Sequence, residues 1–109
     1  MHFSVHSGLQ HKNLVQMLGV TTNPMRFVLE FVREGDLLDL LFPIDEQNVL
    51  FKTRRYLPRS QLPCFYYRLR IALDIATAFQ YLHGSSPPIV HRDLHCGNVL
   101  VCERELYDT

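Results

Sequence analysis

Asp93, His95 and Asn98 crowd into one short run, His91-Arg92-Asp93-Leu94-His95-Cys96-Gly97-Asn98. Each residue type offers a separate piece of chemistry. A carboxylate is anionic at neutral pH and accepts a hydrogen bond from an alcohol. A carboxamide oxygen is a hard, neutral ligand for a cation such as magnesium. An imidazole exchanges protons near neutrality. Val99-Leu100-Val101 follows directly as an apolar run. His91, His95 and Cys96 also raise the question of a transition-metal site, because two histidines four apart suit one helix face. Gly97 and the loop context argue against a helix there, so no such site is expected.

The elements that must position this run are legible on its N-terminal side. Pro63 suits the first turn of a helix running from about Cys64 to His83. Ile71, Ile75, Ala78 and Leu82 give it a core-facing stripe. Gly84 is placed to end it, and Ser85-Ser86-Pro87-Pro88 prevents continuation. Ile89-Val90 then leads into the loop, and Val99 to Cys102 reads as a strand. Nearer the N-terminus, Leu14 to Val20 and Phe27 to Val32 read as two strands joined through Thr21-Thr22-Asn23-Pro24, a hairpin. Val5 and Leu9 are spaced for the tail of a helix, weakened by Gly8. Glu34-Gly35 breaks the second strand. Asp36 is a candidate N-cap for a short helix with Leu37, Leu40 and Leu41 on one side, closed by Pro43. Phe42 to Leu62 has no clean period and carries Lys52, Arg54, Arg55 and Arg59 without an acid between Phe51 and Leu62. It reads as a structureless insertion.

Composition narrows the function classes. The chain has 109 residues, 47% apolar and 20% charged, which suits one small globular domain. Eleven basic residues balance eleven acidic ones, so a nucleic-acid partner is not expected. No apolar run approaches the ~18 residues of a membrane span, and Met1 to Gln10 shows no secretory signal pattern. Cys64, Cys96 and Cys102 lack C-x-x-C spacing, and reduced thiols in a cytoplasmic setting are the plain reading.

Taken together, these motifs resemble a protein kinase domain, closest in texture to the tyrosine-kinase and tyrosine-kinase-like groups. The central run has the form H-R-D-L-x-x-x-N. His11-x-Asn13-Leu14-Val15 with Leu18-Gly19-Val20 is similar to the turn and fourth strand after helix C. Phe27 to Val32 with Gly35-Asp36-Leu37 is similar to the fifth strand, the hinge and the start of helix D. Ile71-Ala72-x-Asp74-Ile75-Ala76 with Tyr81-Leu82-His83 is similar to helix E. The resemblance implies an α+β, two-lobed protein-kinase-like fold, of which this chain holds a part. Residues 1–30 are a remnant of the N-lobe, 31–35 the hinge, and 36–109 the start of the C-lobe with an insertion-like loop at about 42–62.

The same resemblance implies roles. Asp93 accepts or orients the proton of the attacking hydroxyl, and Asn98 binds Mg2+. His91 packs inward in the hydrophobic spine, and Arg92 pairs with a phosphorylated activation loop. Leu29 is the gatekeeper, the backbone of Glu30 and Val32 meets the adenine edge of ATP, and Leu100 supports the adenine from below. His95 stands where many serine/threonine kinases have Lys, and is expected to assist the transferred phosphate only weakly. The implied activity is transfer of the γ-phosphoryl group of ATP to Ser/Thr or Tyr hydroxyls of a protein substrate in signalling. The rival reading is a catalytically inactive, kinase-derived binding or scaffold module. No Gly-rich loop, strand-3 Lys or D-F-G occurs in the 109 residues, and the helix C Glu position falls near His2. The residues by themselves are therefore expected to be inactive and poorly folded.

Overall fold

The computed structural model describes residues 8–47, 50 and 53–102. Val5, read above with Leu9 as a helix tail, His2, read against helix C, and Lys52 of the insertion lie outside them. Leu9 lies within them and is not helical. The N-terminal part is an antiparallel hairpin of β1 (Met17–Thr22) and β2 (Met25–Leu29). Both strands differ from the expected spans, and the reason is packing. Leu14 is buried against the main helix with Ala78 and Leu82, so it cannot also lie in the sheet. Its N–H instead donates to the His11 carbonyl in a turn (3.0 Å). At the other end the β-branched Thr21 and Thr22 stay in the ladder, opposite Arg26 and Met25. That leaves Asn23-Pro24 alone at the turn, where the Thr21 hydroxyl donates to the Pro24 carbonyl (2.7 Å). A register irregularity between Met17 and Gly19 leaves Leu18 as the extra residue of a bulge.

Gly35 is where the chain leaves the hairpin for the helical part. Its φ of 87° lies in the left-handed region, which glycine enters without steric penalty. Helix α1 (Leu37–Leu41) follows, and the Asp36 carboxylate accepts the Asp39 N–H (2.8 Å) as its N-cap. Leu37 is buried, with Leu40 and Leu41 packed beside it, as the spacing requires.

The insertion is not structureless. Ile44 and Arg54 form an antiparallel bridge, flanked by Asp45 N–H to Thr53 O (2.8 Å) and Arg55 N–H to Pro43 O (3.0 Å). The Arg54 guanidinium reaches back to the Asp39 carboxylate (2.7 Å) and the Phe42 carbonyl (3.0 Å). Phe42 meets the Tyr56 ring edge-on at 5.5 Å. One 3-10 turn, Arg59–Gln61, precedes the main helix.

Helix α2 (Phe65–His83) is the axis around which the rest is arranged. Cys64 is its N-cap, so Pro63 lies just before the helix and not in its first turn. One cluster on it joins Leu37, Tyr67, Val99 and Val101, with Ile71 and Ile75 packed alongside. The second joins Leu14, Ala78 and Leu82, with Leu9, Tyr81 and Ile89 alongside. Gly84 ends the helix in a right-handed conformation (φ −81°, ψ −4°), not in the left-handed one. Its lack of a side chain matters for space, since a Cβ there would lie 3.1 Å from the Gln80 carbonyl oxygen.

Residues 99–102 are extended but form no strand of a sheet. Leu100 makes an isolated bridge to Asp36, with Leu37 N–H to Val99 O (2.7 Å) and Val101 N–H to Gly35 O (2.9 Å). The pairing stops after these bonds because the partner segment turns into α1 at Leu37. Among the described residues, no helix is long and apolar enough to cross a membrane.

Candidate active site

The run from His91 to Asn98 is held from both ends. Before it, the Ile89 N–H donates to the Leu82 carbonyl (3.0 Å), which fastens the returning chain to the end of α2. After it, Val99 and Val101 are buried in the first cluster. Between these anchors the loop is shaped by its own side chains. The half-buried His91 ring lies 5.6 Å from the Phe79 ring, and its Nδ1 accepts the Asp93 N–H (3.1 Å). Arg92 has φ 71°, a left-handed conformation that costs a non-glycine residue about 1–2 kcal/mol. Strain of this kind persists where surrounding contacts impose it, often at functional sites. Here the hydrogen bond across it, from Asp93 to His91, closes the bend that turns Asp93 outward.

Asp93, His95 and Asn98 converge. The Asn98 side-chain nitrogen donates to the Asp93 backbone carbonyl (2.9 Å) and to its carboxylate Oδ2 (3.0 Å). His95 Nε2 lies 3.8 Å from the other carboxylate oxygen, Oδ1. The backbone of Cys96–Asn98 is a single 3-10 turn, closed by Asn98 N–H to the His95 carbonyl (2.9 Å). The His95 side chain caps this turn, with Nδ1 accepting the Gly97 N–H (3.1 Å). Asp93 and His95 side chains are more than half exposed, at 60% and 57%. A reacting group can therefore reach both from solvent.

The donor set fits a magnesium ion in part. Both donations from Asn98 to Asp93 use its nitrogen, so its carboxamide oxygen lies away from these acceptors and is a hard donor of the type magnesium takes. Among the described residues, no group of three His, Cys, Asp or Glu is arranged to hold a metal. One protein oxygen with a nearby carboxylate matches the way magnesium is held, by few protein ligands plus phosphate oxygens and water.

A cleft of about 210 Å³ lies between the hairpin exit, the 99–102 segment and α2. Glu30, Val32 and Leu100 all line it, together with Tyr67, Ile71 and Val99. Glu30 N–H is engaged by the Gln16 carbonyl (2.9 Å), so its own carbonyl is the backbone group it can offer a ligand. Val99 and Val101 are buried while Leu100 is half-buried, which is the alternation of an extended chain with two faces. Leu29 is different. It ends β2 opposite Met17 and does not line the cleft. Arg92 is exposed, with its side chain outside the core.

Two contributors escape a reading by residue type. Asn13 donates through its side-chain nitrogen to the Asp74 carbonyl (3.0 Å) and the Thr77 hydroxyl (2.9 Å), which ties the segment before β1 to the middle of α2. Its place beside His11 is the only sequence signal. Gly97 donates to His95 and leaves room for its ring, and nothing in its type announces that.

A family model described as protein tyrosine and serine/threonine kinase matches residues 2–107. The chain is 37% identical over 98 residues to pats1 of Dictyostelium discoideum, named as a probable serine/threonine-protein kinase, covering 89% of this chain and 3% of that protein. It is 36% identical over 95 residues to the serine/threonine-protein kinase CTR1 of Arabidopsis thaliana, covering 85% of this chain and 10% of that one. It is 39% identical over 99 residues to the dual specificity protein kinase splA of Dictyostelium discoideum, covering 87% of this chain and 4% of the relative. The chain thus spans a tenth or less of these relatives' lengths.

Proposed function

The chain belongs to the protein tyrosine and serine/threonine kinase family, and from that premise we propose that the protein carrying it transfers the γ-phosphoryl group of ATP to a Ser, Thr or Tyr hydroxyl of a protein substrate. The observation that carries this reading is the bond between Asn98 Nδ2 and Asp93 Oδ2 at 3.0 Å. It fixes the Asp93 carboxylate against the Asn98 carboxamide nitrogen, next to the cleft-lining segment, with the amide oxygen turned to the other side.

In this reading Asp93 accepts the hydrogen bond of the attacking hydroxyl and orients its lone pair. Asn98 holds Asp93 in place through its nitrogen, and its oxygen would hold a magnesium ion, which would supply charge neutralisation to the phosphoryl oxygens. His95 contacts the transferred group through Nε2. Glu30 and Val32 offer backbone groups to the adenine edge, and Leu100 presents its side chain beneath the ring. Leu29 acts from the end of β2 as the gatekeeper behind that site. His91 is a structural residue that packs on Phe79, and Arg92 is the cation that meets a phosphorylated segment. The protein acts in the cytoplasm, where ATP is abundant and the free thiols of Cys64, Cys96 and Cys102 stay reduced.

The test is phosphoryl transfer by the full protein from radiolabelled ATP to a mixed protein substrate, with phosphoamino-acid analysis of the product. The expected result is transfer that Asp93→Asn reduces by at least about 10²-fold while ATP binding persists. Binding of ATP without any transfer by the unaltered protein would overturn the reading and identify a binding module.

A further inference from the structure

A neutral imidazole carries its single proton on one ring nitrogen, and the other nitrogen is the acceptor. In this loop the choice is made by the backbone. The Gly97 N–H donates to His95 Nδ1 at 3.1 Å. Nδ1 therefore keeps its lone pair, and the proton resides on Nε2. Nε2 is the nitrogen on the Asp93 side, 3.8 Å from Oδ1. That separation exceeds hydrogen-bond distance. The donor is thus directed at the reacting region without being consumed by the carboxylate.

Space at Gly97 enforces the same arrangement. A Cβ on Gly97 would meet His95 Cε1 at 3.0 Å and Nδ1 at 3.1 Å. The ring rests against the bare α-carbon, and any larger residue must displace it by a few tenths of an ångström. Gly97 is not among the residues with positive φ, so backbone freedom does not explain a glycine here. Close approach of the ring does.

The geometry points to Gly97 as a positioning residue that holds His95 with Nδ1 as acceptor, so that Nε2 presents a hydrogen-bond donor beside Asp93 to the transferred phosphoryl group. A lysine at position 95 would supply a charged donor but no acceptor, and it could not cap the turn of Cys96–Asn98. The histidine does both. Its cap steadies the turn whose last residue, Asn98, holds Asp93. This inference rests on the kinase reading for its phosphoryl partner, whereas the tautomer is a property of the loop itself.

The two parts separate by experiment. In the full protein labelled with 15N at histidine, long-range proton–nitrogen correlation spectra report which ring nitrogen carries the proton. His95→Asn identifies the His95 signals by their loss. The expected result is the Nε2–H form in the unaltered protein and a shift towards the mixed equilibrium of free imidazole in Gly97→Ala. Circular dichroism of Gly97→Ala should match the unaltered protein, because the added methyl meets only an exposed ring. His95→Asn keeps an oxygen in the place of Nδ1 to accept the Gly97 N–H but lacks the Nε2 donor. It should lower kcat about tenfold with the KM for ATP unchanged. An Nδ1–H or evenly mixed tautomer in the unaltered protein would overturn the proposal, as would no tautomer change in Gly97→Ala or an undiminished kcat in His95→Asn. A protein with the Nε2–H tautomer, sensitive to Gly97→Ala but without phosphoryl transfer, would retain the positioning role and remove the kinase reading.

Discussion

The Asn98 carboxamide nitrogen reaches two of the three oxygens of Asp93, the backbone carbonyl at 2.9 Å and the carboxylate Oδ2 at 3.0 Å. One side chain therefore fixes the bend of the loop and the orientation of the acid together. Asn98→Asp replaces that donor with a second anion about a hydrogen bond's length from the first. Repulsion and loss of the bond act in the same direction. The expected outcome is a fall in phosphoryl transfer of at least about 10²-fold. Asn98→Ser, smaller and uncharged, should lose less than Asn98→Asp. Steady-state rates of the two variants in the full protein check the order, and Asn98→Asp exceeding Asn98→Ser would contradict it.

Asn13 is a structural clasp, and its contribution is independent of chemistry. Its two donations to α2 are partly buried and join positions far apart in the chain. Removing Asn13 takes one donor from the Thr77 hydroxyl and one from the Asp74 carbonyl, which keeps the Thr77 hydroxyl as a donor (2.9 Å), so the loss is about 0.5–1.5 kcal/mol per bond. Asn13→Ala should lower the thermal midpoint of the full kinase domain by several degrees. Asn13→Asp should lower it further, because a carboxylate then faces a carbonyl oxygen. Differential scanning calorimetry measures both, and an unchanged midpoint for either variant would exclude the clasp.

What the residue pattern revealed and what it hid follow one physical division. Features set by local chemistry were legible. The Asp36 cap, the leucines of α1 and the Ile71–Leu82 stripe of α2 all sit where their spacing puts them. Features set by contacts distant in sequence were not. Leu14 is as apolar as any strand residue, and only its burial under Ala78 and Leu82 removes it from β1. The insertion has no period because it is fixed by a bridge from Ile44 to Arg54 and by one ion pair. In the site, residue types marked Asp93, His95 and Asn98. The strain at Arg92 and the role of Gly97 depend on backbone angles and ring contacts that no residue type encodes.

Ala78 tests the tightness of the second cluster. It has no exposed surface and lies between Leu14 and Leu82. A larger side chain there must push one of these neighbours away, at about 1–3 kcal/mol for overpacking. Ala78→Leu is expected to lower the denaturant midpoint of the kinase domain, and Ala78→Gly to lower it as well through helix propensity of about 1 kcal/mol. A midpoint raised by Ala78→Leu would show an unfilled cavity at this position.

The Arg54–Asp39 pair predicts a separation between stability and local order. Both side chains are substantially exposed, at 34% and 55%, so their attraction contributes at most about 1 kcal/mol. Yet Arg54 is also the point where the insertion is fastened to α1, through Asp39 and the Phe42 carbonyl. Arg54→Ala should leave the global unfolding midpoint nearly unchanged while opening the base of the loop. Limited proteolysis should then cut between residues 43 and 62 several times faster than in the unaltered protein. Both bonds leave the single nitrogen Nη1, and the ammonium of Arg54→Lys also carries several donors on one nitrogen, so this variant should restore most of the protection. Equal cleavage rates in all three proteins would mean that the Ile44–Arg54 backbone bridge holds the loop by itself.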